Sequence, residues 1–360
     1  MNDSYYMRKA LGLAERGRGR TSPNPMVGAV VVDADGVIVG RGRHEVAGGP
    51  HAEINALADA GSRARGATLY CTLEPCCHTG RTGPCAPLVA DAGIARVVVA
   101  IEDPNPLVHG GGLRYLASRG IGTTVGILSA EAERQNEAFL TFMRRGRPLV
   151  ILKAAVSQDG AIAGPRGAPV RLTGSAADRR IHRQRAEVDA VAVGSGTILA
   201  DDPLLTPRGA HRARPLTRVI FDTRLRTPPS ARVLSTLDAG PVIIMSTAAA
   251  HAGAPEAASA LAESGARVEL LDHRDLRHAL TRLGALGLTS VVLEGGATLH
   301  RAALDAGVVD VVHVYATPRR LGADAVPWVG DRIRLGELHD RRTTMLGDDV
   351  LVEGHVHRTD

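Results

Sequence analysis

The sequence predicts an α/β protein built from two consecutive layered domains, residues 1–146 and 147–360. Three observations carry that reading. Apolar strand-like runs alternate with helical patterns through both halves. At 360 residues, each half is long enough to bury a core of its own. Between them, Arg144-Arg145-Gly146-Arg147-Pro148 ends a helical pattern and breaks the chain.

In the first half, residues 5–16 read as a helix with Met7, Leu11 and Ala14 on one side. Thr21-Ser22-Pro23-Asn24-Pro25 is a rigid turn into a strand over 27–32, and Asp33-Ala34-Asp35-Gly36 folds it back into a strand over 37–40. Gly48-Gly49-Pro50 breaks the chain before a helix over 51–60, and a strand over 69–73 ends at Glu74-Pro75. A short helix over 87–92, a buried strand over 97–101, the turn Asp103-Pro104-Asn105-Pro106, a helix over 113–118 and a strand over 122–126 follow. Residues 130–143 read as one packed linker helix with Phe139, Leu140 and Met143 on one face.

The second half opens with a strand over 149–156 and a Gln158-Asp159-Gly160 turn. Ser175-Ala176-Ala177-Asp178 has the form of a capping box opening a helix to about residue 186. Buried strands are expected over 190–193, 219–221, 242–245, 268–271 and 291–293, with helices near 256–263, 276–286 and 298–306. Strands over 311–315 and 350–355 complete the pattern.

Composition narrows the function. No run approaches the roughly 18 apolar residues of a membrane span, and the start Met1-Asn2-Asp3-Ser4-Tyr5-Tyr6 lacks the basic and apolar regions of a signal peptide. A cytoplasmic address is therefore expected, and a tight cysteine cluster there speaks for metal rather than disulfides. The net charge of +5 is mild and aromatic residues are 2% of the chain, so the stacking platforms of a nucleic-acid site are not expected. Lys9 and Lys153 are the only lysines beside 41 arginines, which raises the question of what an ammonium does there that a guanidinium does not.

The chemistry concentrates in Pro50-His51-Ala52-Glu53 and Pro75-Cys76-Cys77-His78-Thr79-Gly80-Arg81-Thr82-Gly83-Pro84-Cys85. His51, Cys76 and Cys85 supply three zinc ligands and leave a fourth position open, an arrangement for catalysis at a water of lowered pKa. Glu53 is the proton shuttle. Residues i and i+2 diverge on a regular helix, so His51 must stand at or before its first turn. Cys77 and Cys71 read as packing, while a purely structural zinc would need His78 as fourth ligand.

His51-Ala52-Glu53 with Pro75-Cys76 and the distant Cys85 resembles the cytidine-deaminase superfamily, although eight residues separate the two cysteines where two are usual. With that insert, Pro23-Asn24-Pro25-Met26-Val27-Gly28 and Asp103-Pro104-Asn105-Pro106, the chain resembles the bifunctional riboflavin-biosynthesis deaminase/reductase family over nearly its whole length. The resemblance implies a cytidine-deaminase-like three-layer domain followed by a dihydrofolate-reductase-like α/β domain. It implies one zinc ion, NADPH, a phosphorylated pyrimidine substrate and a homo-oligomer. Asn24, His44, His78 and Asn105 would line the pyrimidine pocket. Arg185, Leu205, Arg208 and Glu294 would meet the substrate of the second domain, with the two arginines on its phosphate and Lys153 as its catalytic residue. Ala155, Thr197, Asp201, Thr223, Gly296, Ala297 and Thr298 would contact NADPH.

The Glu294-Gly295-Gly296 junction suits an anion at a helix start, but it lacks the full dinucleotide fingerprint of a Rossmann domain. Pro169 and Arg171 stand where the family has Ser and Trp, and Gln158 where it has an apolar residue. A deaminase with an inactive or altered reductase half is the alternative reading, and a nucleic-acid base deaminase a more distant one.

Overall fold

The Val-rich runs of the first half become the inner strands of a sheet. In a computed structural model, residues 2–78 and 83–357 are described, and the chain divides into two compact units, Met1–Gly146 and Arg147–Asp360. Residues 79–82 of the cysteine insert lie outside the described residues.

The strands of the first unit are β1 (Gly28–Val32), β2 (Ile38–Arg43), β3 (Thr68–Leu73), β4 (Arg96–Ile101) and β5 (Gly122–Val125). Its helices are α1 (Asp3–Ala14), α2 (Ala52–Ala60), α3 (Cys85–Asp91), α4 (Gly111–Ser118), α5 (Ser129–Gln135) and α6 (Glu137–Arg145). The sheet order is β2-β1-β3-β4-β5, with β1 antiparallel to both neighbours and the rest parallel. Two glycines place the layers. A Cβ on Gly28 would strike Ala10 O of α1 at 2.0 Å, and one on Gly42 would strike Ala52 O of α2 at 2.1 Å. Gly42 pairs with Ala29, the neighbour of Gly28, and successive strand residues face opposite sides. Helices α1 and α2 therefore cover opposite faces of the sheet, packed so closely that only glycine fits beneath them.

The expected helix over 130–143 is two helices. They part at Asn136, whose side-chain Oδ1 accepts from Met26 N at 2.8 Å while its Nδ2 donates to Met26 O at 2.9 Å. Asn136 is 3% exposed, so satisfying the Met26 backbone there takes precedence over continuing the helix.

The second unit begins with β6 (Leu149–Val156), β7 (Ala161–Pro165), α7 (Ser175–Glu187), β8 (Ala190–Gly194), α8 (Ser195–Asp201) and β9 (Thr217–Phe221). It continues through β10 (Val242–Thr247), α9 (Ala248–Gly253), α10 (Pro255–Glu263), β11 (Arg267–Leu271), α11 (Leu276–Ala285) and β12 (Ser290–Leu293). The last elements are α12 (Ala297–Asp305), β13 (Val311–Ala316), β14 (Ala325–Pro327), β15 (His339–Leu346) and β16 (Asp349–His355). Nine strands form one sheet in the order β11-β10-β9-β8-β12-β6-β13-β16-β15, parallel from β11 to β13 and antiparallel beyond; β14 and β7 pair separately. Helix α7 starts without the expected capping box. Gly174 is its N-cap, and Asp178 accepts instead from Thr173 Oγ1 (2.5 Å) and Arg171 Nη2 (2.7 Å). Among the described residues no helix is long and apolar enough to cross a membrane.

Candidate active sites

In the first unit the His-x-Glu geometry is set by a helix start. His51 is the N-cap of α2, with extended φ −74° and ψ 162°, and Glu53 falls in the first turn. The placement required for the two side chains to converge is met. Cys76 follows β3 through Pro75, and Cys85 is the first residue of α3 after Pro84. His51 Nδ1 lies 3.1 Å from Cys85 Sγ and 3.5 Å from Cys76 Sγ, and the Cys85 backbone N–H points at Cys76 Sγ from 3.4 Å. One ligand atom from each of the three falls within 4.8 Å of the other two. Cys71 is fully buried and Cys77 packs under Gly111, where a Cβ would meet its Sγ at 2.6 Å.

The electrostatics match a site built for a cation. The hydrogen bond from Cys85, with His51 adding to it, draws the Cys76 thiol down to about 4. The same contact, with burial, drives Cys85 strongly upward, so two adjacent thiolates do not form unaided. An imidazole and two sulfurs able to ionise together only around a positive charge are a fitting donor set for zinc. Glu53 is 3% exposed, and burial pushes its carboxyl up to about 7.

Around these groups lies a pocket of about 340 Å³. His44 Nδ1 donates to Pro50 O at 3.0 Å, so Nε2 accepts from Asn24 Nδ2 at 3.1 Å; burial lowers the His44 pKa, in keeping with that neutral tautomer. His78 also lines the pocket, and its buried Nδ1 has no hydrogen-bond partner among the described residues. Asn105 holds its own turn, Oδ1 accepting from Leu107 N at 3.1 Å, and contributes to the wall.

Several contributors were not singled out in the sequence. Glu74 accepts from Asp103 N, Gly110 N and Leu113 N at 2.9–3.2 Å, tying the wall loop to the start of α4. Asp103 faces the pocket, its carboxyl raised to about 6 by burial. Phe139, Phe142 and Met143 of α6 close the apolar side. The Phe and Met spacing of that helix was a signal for packing, but not for what lies beneath it.

In the second unit Lys153, Arg185 and Glu294 meet. Arg185 Nε and Nη2 donate to the two Glu294 oxygens at 2.7 and 2.8 Å, and Lys153 Nζ lies 3.8 Å from Oε2. Burial lowers the Lys153 pKa. Burial opposes ionisation of Glu294 too, but the charges of Arg185 and Lys153 outweigh it and bring that carboxyl to about 2. Arg185 also donates to Thr206 O at 3.2 Å, leaving two of its five N–H groups. Arg212 caps the end of α7 through the carbonyls of Arg185, Ala186 and Val188, which fixes where Arg185 stands.

These groups open onto a cavity of about 1040 Å³, also lined by Ala155, Thr197, Asp201, Leu205, Thr223, Gly296 and Thr298. Arg208 and Ala297 are not part of its lining; Arg208 is exposed and lies against His182. Pro169 and Arg171 do line it, with the Arg171 guanidinium drawn off to Asp178. Gln158 sits at the surface, accepting from Arg320 Nε at 3.1 Å.

Comparison with known proteins covers both units. The family description "Cytidine and deoxycytidylate deaminase zinc-binding region" matches residues 1–101, and "RibD C-terminal domain" matches residues 148–352. The riboflavin biosynthesis protein RibD of Bacillus amyloliquefaciens is 43% identical over 327 residues, 90% of this chain and 87% of that protein. The Escherichia coli protein of the same name is 41% identical over 337 residues, 90% of each chain. The chain belongs to the RibD family. Acinetobacter baumannii RibD superposes with a TM-score of 0.87 at 37% identity, covering 99% of both chains. A Thermotoga maritima structure, described as a diaminohydroxyphosphoribosylaminopyrimidine deaminase/5-amino-6-(5-phosphoribosylamino)uracil reductase, gives 0.85 at 33% identity over 98% of each.

As a member of this family, the protein is a bifunctional deaminase and reductase of riboflavin biosynthesis, with a zinc-binding first domain and an NADPH-dependent second. The second unit fits the nucleotide. A Cβ built on Gly194, Gly196 or Gly296 meets nothing within 4 Å, so each leaves cavity space that a side chain would fill. Gly295 is a glycine for another reason: its φ of +119° disfavours any side chain.

Proposed function

We propose that the first unit removes the exocyclic amine of a diaminopyrimidinone carrying a ribosylamino 5-phosphate, and that the second reduces the ribosyl chain to ribityl. The observation that supports this most is the convergence of His51, Cys76 and Cys85 within 4.8 Å beside a buried Glu53. His51, Cys76 and Cys85 hold the zinc, which when bound supplies an acidified water for attack on the ring. Glu53 takes one proton from the attacking water and passes it to the ring nitrogen, then carries a second from the hydroxyl now on the ring carbon to the amine, which leaves as ammonia when the C–N bond breaks; a carboxyl near neutrality serves both directions. Asn24, His44, His78 and Asn105 orient the pyrimidine, His44 as a fixed Nδ1–H tautomer.

In the second unit NADPH supplies the hydride. Lys153 holds a proton at Nζ for the substrate, with Glu294 keeping it charged despite burial. Arg185 anchors Glu294 as well as facing the substrate, so the phosphate rests on its remaining N–H groups and on Arg208. Leu205 packs on the substrate, while Ala155, Thr197, Asp201, Thr223, Gly296 and Thr298 border the cofactor, with Ala297 behind them. The reading includes a cytoplasmic homo-oligomer with no nucleic-acid or membrane partner. The test is to supply the diaminopyrimidine ribosylamino phosphate with and without NADPH while following ammonia and absorbance at once. Ammonia without NADPH, and absorbance loss only after it, is the expected order. Ammonia release with flat absorbance would show an inactive reductase half.

A further inference from the structure

The cavity of the second unit continues well past Lys153 and Glu294. Those groups belong to β6 and the end of β12, whereas Arg224 and Arg226 follow β9 and Arg274 follows β11. At about 4.8 Å per strand, β9 lies roughly 14 Å from β6 and β11 roughly 24 Å. Three exposed guanidiniums thus line this side of the cavity, Arg224 and Arg274 at the strand ends farther from the reacting groups and Arg226 reaching back to Ser195 after β8.

Most buried or half-buried arginines of this unit are tied to carboxylates or carbonyls. These three have no ion pair with any carboxylate among the described residues, and the acids that flank them in sequence, Asp222 and Asp275, are engaged elsewhere. Asp222, fully buried, accepts from Thr227 N and Thr227 Oγ1 at 2.7 Å each and from Arg224 N at 3.4 Å. Asp275 accepts from Arg277 N at 2.9 Å as the N-cap of α11. In dinucleotide sites an acid at such a strand end commonly reads an unmodified ribose 2′-hydroxyl, and an Arg there a 2′-phosphate. Here Asp222 is turned inward and pins the very loop that carries Arg224 and Arg226. Arg226 is further oriented by Ser195, its Nη2 donating to Oγ at 3.0 Å.

We propose that Arg224, Arg226 and Arg274 bind the 2′-phosphate of NADPH and set its preference over NADH. This rests on the reading that the cavity holds the nicotinamide cofactor. Forked guanidiniums suit a phosphate dianion, and charge-assisted bonds of this kind are among the stronger ones.

The test is calorimetric titration of the full-length, zinc-loaded protein with NADPH and, separately, NADH. The wild type should bind NADPH more tightly, with a preference that shrinks as salt rises. Arg226→Ala should weaken NADPH by about tenfold or more and leave NADH unchanged. Arg226→Lys should retain part of the preference, and the triple alanine variant should abolish it. Unchanged NADH affinity and thermal melting establish that a variant is folded. Equal wild-type affinity for the two nucleotides, or parallel weakening of both in the variants, overturns the phosphate clamp alone. A wild type that binds neither nucleotide overturns the cofactor reading itself, and the clamp with it.

Discussion

Replacing Glu294 by Gln removes the carboxylate that Arg185 and Lys153 share. The side chains are only 9%, 14% and 14% exposed, so solvent screens them little. The Glu294 carboxyl falls from the usual 4.5 to about 2, a shift worth about 3 kcal/mol at about 1.4 kcal/mol per unit. Breaking a buried pair by removing one partner costs about 3–5 kcal/mol, which agrees in size. For a unit of this length the melting temperature should drop by roughly 6–12 °C at neutral pH. The sign with pH follows. A depressed folded-state value stabilises above about 4.5 and loses its contribution as pH falls toward 2, so wild type and variant should converge in acid. Lys153 loses the charge that opposes its burial, so it shifts further toward the neutral amine and NADPH oxidation falls with it. Ammonia release, measured on the same preparation, is the internal control. Unchanged melting at neutral pH, or undiminished NADPH oxidation, would refute the reasoning.

Glu53→Gln should cut ammonia release by about 10²–10⁴-fold while metal analysis still finds zinc, because the ligand set is untouched. Lys153→Ala should stop NADPH oxidation and leave ammonia release; unimpaired reduction would make the retention of a lysine there an accident of composition. Gly112→Ala places a Cβ 1.9 Å from Pro75 O, so the segment leading to Cys76 must move, and zinc content should fall together with ammonia release. Adding zinc to metal-stripped protein at neutral pH should release protons measurable with an indicator dye, since Cys85 keeps its proton beside the Cys76 thiolate until a cation arrives.

The inner strands were legible because β1, β3 and β4 are buried on both faces and read as continuous apolar runs. Strand β15 was not. Seven of the eight positions in His339–Leu346 are exposed, so no alternation marks it, and only pairing with β16 makes it a strand. Helix α8, Ser195–Asp201, escaped for a related reason: it is one short, glycine-containing stretch that buries only Ser195 and Ile198.

The sequence by itself determined which residues the first site gathers. A His two residues before a Glu at a helix start, with cysteines placed beside prolines, is local information, and local geometry suffices to express it. Tertiary structure decided what depends on distant partners. Arg185 meets Glu294 across 109 positions, and that contact recasts a presumed phosphate ligand as also the anchor of an acid. Asn136 leaves its helix to hold Met26, 110 positions away, and α6 becomes the pocket wall. Side chains that satisfy buried polar groups far along the chain leave no periodic trace, so the sequence names them only as residue types and the fold assigns their work.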